Sequence, residues 1–439
     1  MKIFKILFLL STLTSIAYAN SFDTLGHFSL SSNSLNVNPG STGTVTVTNT
    51  GQGSIANMRV SIPPSLTKVI GGTCLTTKTL LINAACTLTY QVTKAIPQTT
   101  GVALTFEGQN VDNAPSTLTI SVGGLLYFPY NNADNSNKLG YVACPISANN
   151  GSVGYCVPKQ LALTGQTGHI QNISVTPDGS HAYLTGNEYS RSLFACKVND
   201  SAQFVNCNTV TVPADVQTDH ISFLQKGDKA YFYSATALPT RASVCDVDTS
   251  TLALSNCVDS KFAVSNGTAV GYDSIKLNSA GTSAYVVYEK SDAFSRIALC
   301  HIDPRSGTFH DCSDTFANPA NYVIGNLALD SNNANAIFTA SNITDTSLIY
   351  SCPINSDGTF EQTACKTNPI NNNPFSPAFI ALDTVGNYLY YLNNANYLQI
   401  GFFSVMTNGD LNNGGTTGTF GTDYQVNEFA PIALSPNAG

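Results

Sequence analysis

The sequence predicts an all-β protein. Three observations carry that reading: strands that alternate Val and Thr, twelve cysteines in six close pairs, and a repeat of about fifty residues. Composition agrees with it. Only 10% of the 439 residues are charged, against a usual ~25%, and 43% are hydrophobic, enough for a sizeable core. An unstructured chain would combine low hydrophobicity with high net charge. The net charge is −8, from 19 basic and 27 acidic side chains. That argues against nucleic acid as a partner, because a basic face is needed to neutralise phosphate.

The first nineteen residues read as an export signal. Lys2 and Lys5 precede an apolar run at 6–13, and Ala17-Tyr18-Ala19 forms an A-x-A cleavage site. The competing reading is a membrane anchor, but the run is shorter than the ~20 residues that cross a bilayer. With no second long apolar run, no membrane span is expected. The chain should be periplasmic, displayed at the cell surface or secreted, where disulfides persist.

Residues 20–122 have a sandwich rhythm. LNVNPGSTGTVTVTNTG from Leu35 alternates Val and Thr after a Pro-Gly turn, and NMRVSIPPS, CTLTYQVT, VALTFEGQ and STLTISV follow at about ten-residue spacing. About seven short strands in ~100 residues suit an immunoglobulin-like sandwich. With no Trp in the chain, the pin packing of an antibody domain is excluded. Gly123-Gly124 is the expected hinge to the next domain, 123–439.

The cysteine pairs are Cys74/Cys86, Cys144/Cys156, Cys196/Cys207, Cys245/Cys257, Cys300/Cys312 and Cys352/Cys365. No C-x-x-C knuckle is present, which argues against a structural zinc site. The last five pairs share one form: Cys, any residue, an apolar residue (Ile or Val), a polar turn, an apolar residue, Cys. A polar turn between two short apolar strands is a β-hairpin, so each pair is read as a cross-strand disulfide, its cysteines facing each other across the hairpin. Free buried thiols are the competing reading. FFSVMTNGDLNNG from Phe402 repeats the strand and turn without the cysteines.

A second element precedes each hairpin: NISVTPDGSHAYLTG from Asn172, HISFLQKGDKAYFYS from His220, SIKLNSAGTSAYVVY from Ser274, NLALDSNNANAIFTA from Asn326 and FIALDTVGNYLYYLN from Phe379. Strand, turn, strand, loop, then the hairpin makes a four-stranded antiparallel sheet. Such a sheet every fifty residues is a β-propeller blade. The first hairpin has only LLYFPYNN from Leu125 before it, and PIALSPNAG from Pro431 matches the missing inner strand. The C-terminus should therefore close the first blade, which gives six blades. Closure removes unpaired edges. A seven-bladed ring is the runner-up, if the N-terminal region contributes strands.

VTPDGSHAYLTG (175–186) resembles the motif of YVTN-type, lactonase-like propeller repeats, and the other copies match more loosely. CLTTKTLLINAACTLTYQV resembles a bacterial Ig-like family, with Ala84-Ala85 where its Pro-Gly would be. The propeller resemblance covers about 124–439. It implies a fold that hosts both lactonases and pure binding modules.

No G-x-S-x-G, H-E-x-x-H or P-loop motif occurs. Two candidate surfaces remain. At the start of the inner strands, Asn172, Asp219, His220, Asp273 and Asn326 line up as a channel-mouth ligand site. A lactonase-like hydrolase would hold a divalent cation there. The competing reading is that they cap strand ends. The loops between the second and third strands carry Tyr189, Arg191, Arg241 and Arg296, side chains suited to protein or glycan recognition. The expected function is an exported binding module without a cofactor, whose partner is a protein or glycan. The alternative is the metal-dependent hydrolase.

Overall fold

A computed structural model describes residues 24–37, 42–63, 70–91, 102–132, 139–147, 150–161, 170–186, 193–199, 202–213, 216, 218, 220–233, 241–261, 267–268, 275–290, 295–317, 323–341, 347–370, 379–383, 387–393, 399–419, 424–426 and 433–434. The export signal lies outside them. The described residues are all-β, with no α-helix, and two short 3₁₀ turns at Thr73–Leu75 and Gln362–Ala364.

Residues 24–122 form two four-stranded sheets face to face. One runs Phe28–Leu30, Thr42–Asn49, Ala85–Gln91, Ile70–Gly71 in spatial order; the other runs Ser34–Val37, Ser116–Val122, Val102–Gln109, Ala56–Ser61. Period-2 alternation explains the layering. Val45, Val47, Leu88, Leu104, Phe106, Leu118 and Ile120 are buried between the sheets, while Thr44 and Thr46 lie nearer solvent. Asn49 is a polar hub of this core. Its side chain accepts from the N–H groups of His27 and Gly51 and donates to the carbonyls of Gly53 and Leu80, so its buried amide is satisfied on both ends. Gly123 and Gly124 stand at the expected hinge. Both are buried; Gly123 donates to the Val37 carbonyl and the Gly124 carbonyl accepts from Ile146 N–H.

From Leu125 onward the strands form a β-propeller. Among the described residues six sheets follow one another, and four of them show the pattern without additions: Asn172–Val175, His181–Thr185, Leu193–Val198 and Phe204–Val210 form one such antiparallel blade. The first sheet holds Leu125–Asn132, Gly140–Pro145 and Val157–Gln160, and takes its inner strand from the C-terminus. There Ala433 sits opposite Tyr127 and Leu434 opposite Leu126, while Tyr424–Val426 pairs further along the same strand. The inner strands touch one another in sequence around a closed ring, 172–175, 220–223, 275–277, 323–329, 380–382, 433–434 and back to the start.

Packing explains why the ring closes. Each strand's alternate side chains go to opposite faces of its sheet. Ala182 and Leu184 pack towards the preceding blade with Tyr127 and Tyr141, whereas Tyr183 packs towards the following one with Ala230 and Phe232. Six apolar clusters result, each shared by two consecutive blades. The last joins Leu126 and Phe128 of the first sheet to Phe379, Leu392 and Phe402 of the sixth. An open stack would leave two such faces in water.

All six predicted disulfides are present, and the competing reading of free thiols is excluded. Cys74–Cys86 ties the 3₁₀ turn of the sandwich to a core strand. Cys144–Cys156, Cys196–Cys207, Cys245–Cys257, Cys300–Cys312 and Cys352–Cys365 staple the first five blades.

The placement of the second cysteines corrects the plain-hairpin reading. Cys156 and Cys365 lie on no strand. Cys156 stands just before Val157–Gln160, and Cys365 ends the 3₁₀ turn Gln362–Ala364, just before Lys366–Ile370. The reason is local hydrogen bonding. Gly154 N–H takes the Pro145 carbonyl and Glu361 N–H takes the Pro353 carbonyl, so each turn uses the carbonyl that a continued ladder would need. The ladder ends at Ala143 opposite Val157 and at Ser351 opposite Lys366, and the disulfide stands one step beyond it.

Cys207 is on a strand, Phe204–Val210, but not in register with Cys196. Ala195 is opposite Asn208 and Lys197 opposite Val205, so Cys196 faces the two-residue bulge Asn206-Cys207. Two further blades repeat this, with register shifts beside Cys245 and Cys300. In all three the residue before the second cysteine, Asn206, Asn256 or Asp311, has a positive φ near 50°. Asn and Asp tolerate this left-handed conformation better than other residues with a Cβ.

Candidate functional site: the central channel

The inner strands share one pattern: N-I-S-V, H-I-S-F, S-I-K-L, N-L-A-L, F-I-A-L and P-I-A-L. The second column, Ile173, Ile221, Ile275, Leu327 and Ile380, is buried between blades and anchors each strand. The third column runs Ser174, Ser222, Lys276, Ala328, Ala381, Ala433 and lines the channel. Two of these side chains stitch adjacent strands. Ser174 Oγ donates to the Ile221 carbonyl (2.9 Å) and Ser222 Oγ to the Ile275 carbonyl (2.8 Å). Among the described residues the inner strands of neighbouring blades share no sheet ladder, so these bonds satisfy edge carbonyls that would otherwise need water.

The channel holds a cavity of about 500 Å³ that every inner strand helps to line. Its wall is polar where Gln225, Lys276, Asp330 and Asn333 meet it, and aliphatic around Leu277, Ala328 and Ile380. Two lining carboxylates also hold the turns after their strands. Asp330 accepts from Ala334 N–H and from Asn335 Nδ2, and Asp383 from the N–H groups of Asn387 and Tyr388. Burial pushes the nearby Tyr390 phenol well above its usual pKa, and the Asp383 charge adds to the shift. That phenol stays neutral at physiological pH.

Two of the five predicted mouth residues come together. Asn172 Nδ2 donates to His220 Nδ1 at 3.2 Å, and the His220 ring stacks on Tyr233 with centroids 5.3 Å apart. Both are buried rather than displayed, as is Asn326, whose N–H donates to Thr339 Oγ1. Asp219 and Asp273 lie outside the described residues. The donor set bears on the metal reading. With Nδ1 taken by Asn172, His220 carries its proton on Nε2, and neither nitrogen offers a lone pair to a cation in this arrangement. No group of three His, Cys, Asp or Glu side chains among the described residues is placed to hold an ion.

The loop candidates divide likewise. Tyr189 and Arg191 lie outside the described residues, and Arg241 begins the strand Arg241–Val247. Arg296 is on a strand, Ser295–Ile302, not in a loop. Its guanidinium is 3.8 Å from Asp314 and only about a fifth exposed, so it is held against its own blade. Residues missed in the sequence are Gln225, Lys276, Asp330, Asn333 and Asp383. Lys276 is visible as the only charge in the third column of the strand alignment; the others sit in or beside the turns after it.

No family model and no curated protein matches the chain. Solved structures of similar fold do. A 6-phosphogluconolactonase-like protein of Bacteroides uniformis is 16% identical, over 67% of this chain and 82% of its own, with a TM-score of 0.45. The periplasmic gluconolactonase of Pseudomonas aeruginosa is 11% identical, over 71% and 99%, with a TM-score of 0.45. The WD40 domain of Toxoplasma gondii coronin is 11% identical, over 65% and 69%, with a TM-score of 0.39. The six disulfides suit an oxidising, extracytoplasmic compartment. No described helix is long and apolar enough to cross a membrane.

Proposed function

We propose that the chain is an exported recognition protein: an N-terminal sandwich, residues 20–122, carrying a disulfide-stapled propeller whose channel seats a glycan. The channel carries the proposal. A cavity of about 500 Å³ falls in the range of small-molecule sites, ~300–1,000 Å³. Its mixture of hydroxyl, amide, carboxylate and ammonium groups with aliphatic wall suits a sugar, which has a polar rim and an apolar C–H face. With Arg296 held on its own blade, the channel rather than that arginine is the recognition element. Screening the purified chain on a glycan array, followed by titration of the best ligand, tests this. Lys276→Ala and Gln225→Ala should each weaken binding by about tenfold, the effect of ~1.4 kcal/mol. A chain that retains no glycan, or variants that bind as well as the parent, would sink the proposal.

The second reading is a metal-dependent lactonase-like hydrolase, supported by the VTPDGSHAYLTG resemblance and by the hydrogen bond from Asn172, which lines the channel, to the buried His220. A divalent cation would polarise the lactone carbonyl. It would need Asp219 and Asp273 as oxygen donors and a change of His220 tautomer. Elemental analysis together with a lactone hydrolysis assay on Asp219→Ala separates the two readings. Stoichiometric metal and a loss of hydrolysis would favour the enzyme.

A further inference from the structure

Two of the chain's six histidines face each other on the outer strands of one blade, away from the inner strands that line the channel. His301, on the third strand of the fourth blade, is directly opposite His310 on the outermost strand. Both are exposed, with ring centroids 5.9 Å apart. The next residue, Asp311, has the positive φ of the bulge and places its carboxylate 2.9 Å from His310 Nδ1. The corresponding positions after the first cysteine in other blades are Pro145, Lys197, Asp246 and Pro353, so the pair is peculiar to this blade.

We propose that His301 and His310 form a surface site for a divalent transition cation of the zinc, nickel and copper class. Three features point to it. The carboxylate on Nδ1 makes that nitrogen the N–H donor, which leaves the His310 Nε2 lone pair for a ligand. This histidine–carboxylate arrangement orients imidazoles in metal sites. Two imidazoles sharing a tetrahedral ion at ~2.1 Å have ring centres ~5 Å apart, so rotation of exposed side chains by about an ångström brings them to bite. Both rings also stand on adjacent strands of a rigid sheet, braced by the Cys300–Cys312 disulfide, so little ordering is needed on binding. No third His, Cys, Asp or Glu among the described residues completes the set. Water, or a group from a partner, would fill the remaining positions. Imidazole selects this class of ion over calcium and magnesium.

The test uses the tag-free, disulfide-intact chain and zinc chloride alone, at neutral pH, by titration calorimetry. One ion per chain should bind. His301→Ala and His310→Ala should each weaken binding by more than about tenfold, and Asp311→Asn by about tenfold, the scale of a lost outer partner. Both imidazoles are exposed, so circular dichroism and the unfolding midpoint should match the parent. His27→Ala, a partly exposed histidine on the sandwich, should leave the titration unchanged. Absence of zinc binding, binding that survives the double variant His301→Ala/His310→Ala, or loss of binding in His27→Ala would each overturn the site.

Discussion

The hydroxyl of Tyr183 donates to the carbonyl of Leu252, 3.1 Å away in the next blade. The same bond recurs at three other junctions: Tyr127 to Ala202 (2.9 Å), Tyr231 to Gly307 (2.8 Å) and Tyr285 to Gly358 (2.9 Å). In every case the acceptor has a positive φ and belongs to the turn between the third and fourth strands. The left-handed turn residue presents its carbonyl backwards, and a tyrosine on the second strand of the preceding blade reaches it. Each ring also packs apolar surface between sheets, and Tyr231 and Tyr285 stack on Phe309 and Phe360. Burial raises the phenol pKa, to about 12 for Tyr285, so these groups remain donors across the physiological range.

The tyrosine series makes a paired prediction. Tyr231→Phe removes the donor and leaves a buried carbonyl without it, at a cost of about 1–2 kcal/mol. Tyr390 occupies the equivalent position in the sixth blade, but its buried hydroxyl has no partner among the described residues. Tyr390→Phe should therefore be neutral or stabilising. Urea unfolding midpoints of the two variants check the contrast. Equal losses would show that ring packing, and not the bond, sets the cost.

The sixth-to-first junction uses a different contact. Gly151 has a φ of +67°, and a Cβ there would overlap the Tyr388 ring. Gly227 has a similar φ, +73°, but its nearest neighbour is the Pro177 Cδ at 3.7 Å. Gly227→Ala costs only the strain of the left-handed backbone, roughly 1 kcal/mol. Gly151→Ala carries that strain and also displaces an aromatic ring, a further ~1–3 kcal/mol. Thermal unfolding should rank Gly151→Ala well below Gly227→Ala, and the reverse order would show that the Tyr388 contact yields freely.

Much of the architecture is legible because it is local. Cysteine spacing, period-2 strands and the N-I-S-V type of repeat lie within fifty residues of one another and mark sheets directly. Spacing pairs the cysteines but does not place them: nothing in it shows that Cys156 and Cys365 stop short of their strands, or that Cys207 sits in a bulge. Those details depend on which backbone groups the turn consumes. The tyrosine bonds are not legible either, since Tyr183 and Leu252 are 69 positions apart and the acceptor is a backbone carbonyl with no side-chain signature. The site is half visible. The strand alignment sets Asn172 beside His220, and the two do meet, but both are buried where the sequence suggests an open mouth. The convergence of six inner strands decides what reaches the cavity, and it selects the third column and the turns beyond it. A strand alignment alone does not contain that convergence.

Acid should weaken the fold through its turn carboxylates. Burial opposes ionisation of Asp178, but hydrogen bonds from Ser180 and Thr176 outweigh it and hold its pKa below the usual value. Asp246 is lowered first by its bond from Lys229, 2.7 Å away, and Asp248 by Ser250 and Thr251. A lowered folded pKa means that the fold prefers the ionised form. That stability is present above the unfolded pKa of ~3.9 and is lost as pH falls through the lower folded values. Denaturant midpoints should be flat between about pH 5 and 7 and fall below about pH 4. Asp178→Asn should shrink the fall; an identical acid limb in that variant would remove Asp178 from the account.

The disulfides lead to a prediction about where the ring is weakest. Cys245–Cys257 closes a loop of 12 positions, worth about 3 kcal/mol by the chain-entropy estimate. Replacing that pair with Ala should lower stability by about this amount under oxidising conditions and leave only a small further loss on adding reductant to that blade. The sixth blade has no such bond. Its strands Gln399–Val405 and Leu411–Thr419 are held by the ladder and by the packing of residues such as Phe402 and Phe403. Its neighbour across the closing seam is the first sheet, which takes Ala433–Leu434 and Tyr424–Val426 from the far end of the chain. The seam therefore combines the unstapled blade, an inner strand brought from the far end of the chain and the Tyr390 hydroxyl, which has no inter-blade bond among the described residues. Native-state hydrogen exchange on the oxidised chain should find Gln399–Val405 opening at lower free energy than Arg241–Val247 of the third blade. Reduction of all disulfides should narrow that gap, because the third blade loses its staple and the sixth has none to lose. A gap that stays the same on reduction would mean that the staples do not set the order of opening, and that inter-blade packing does.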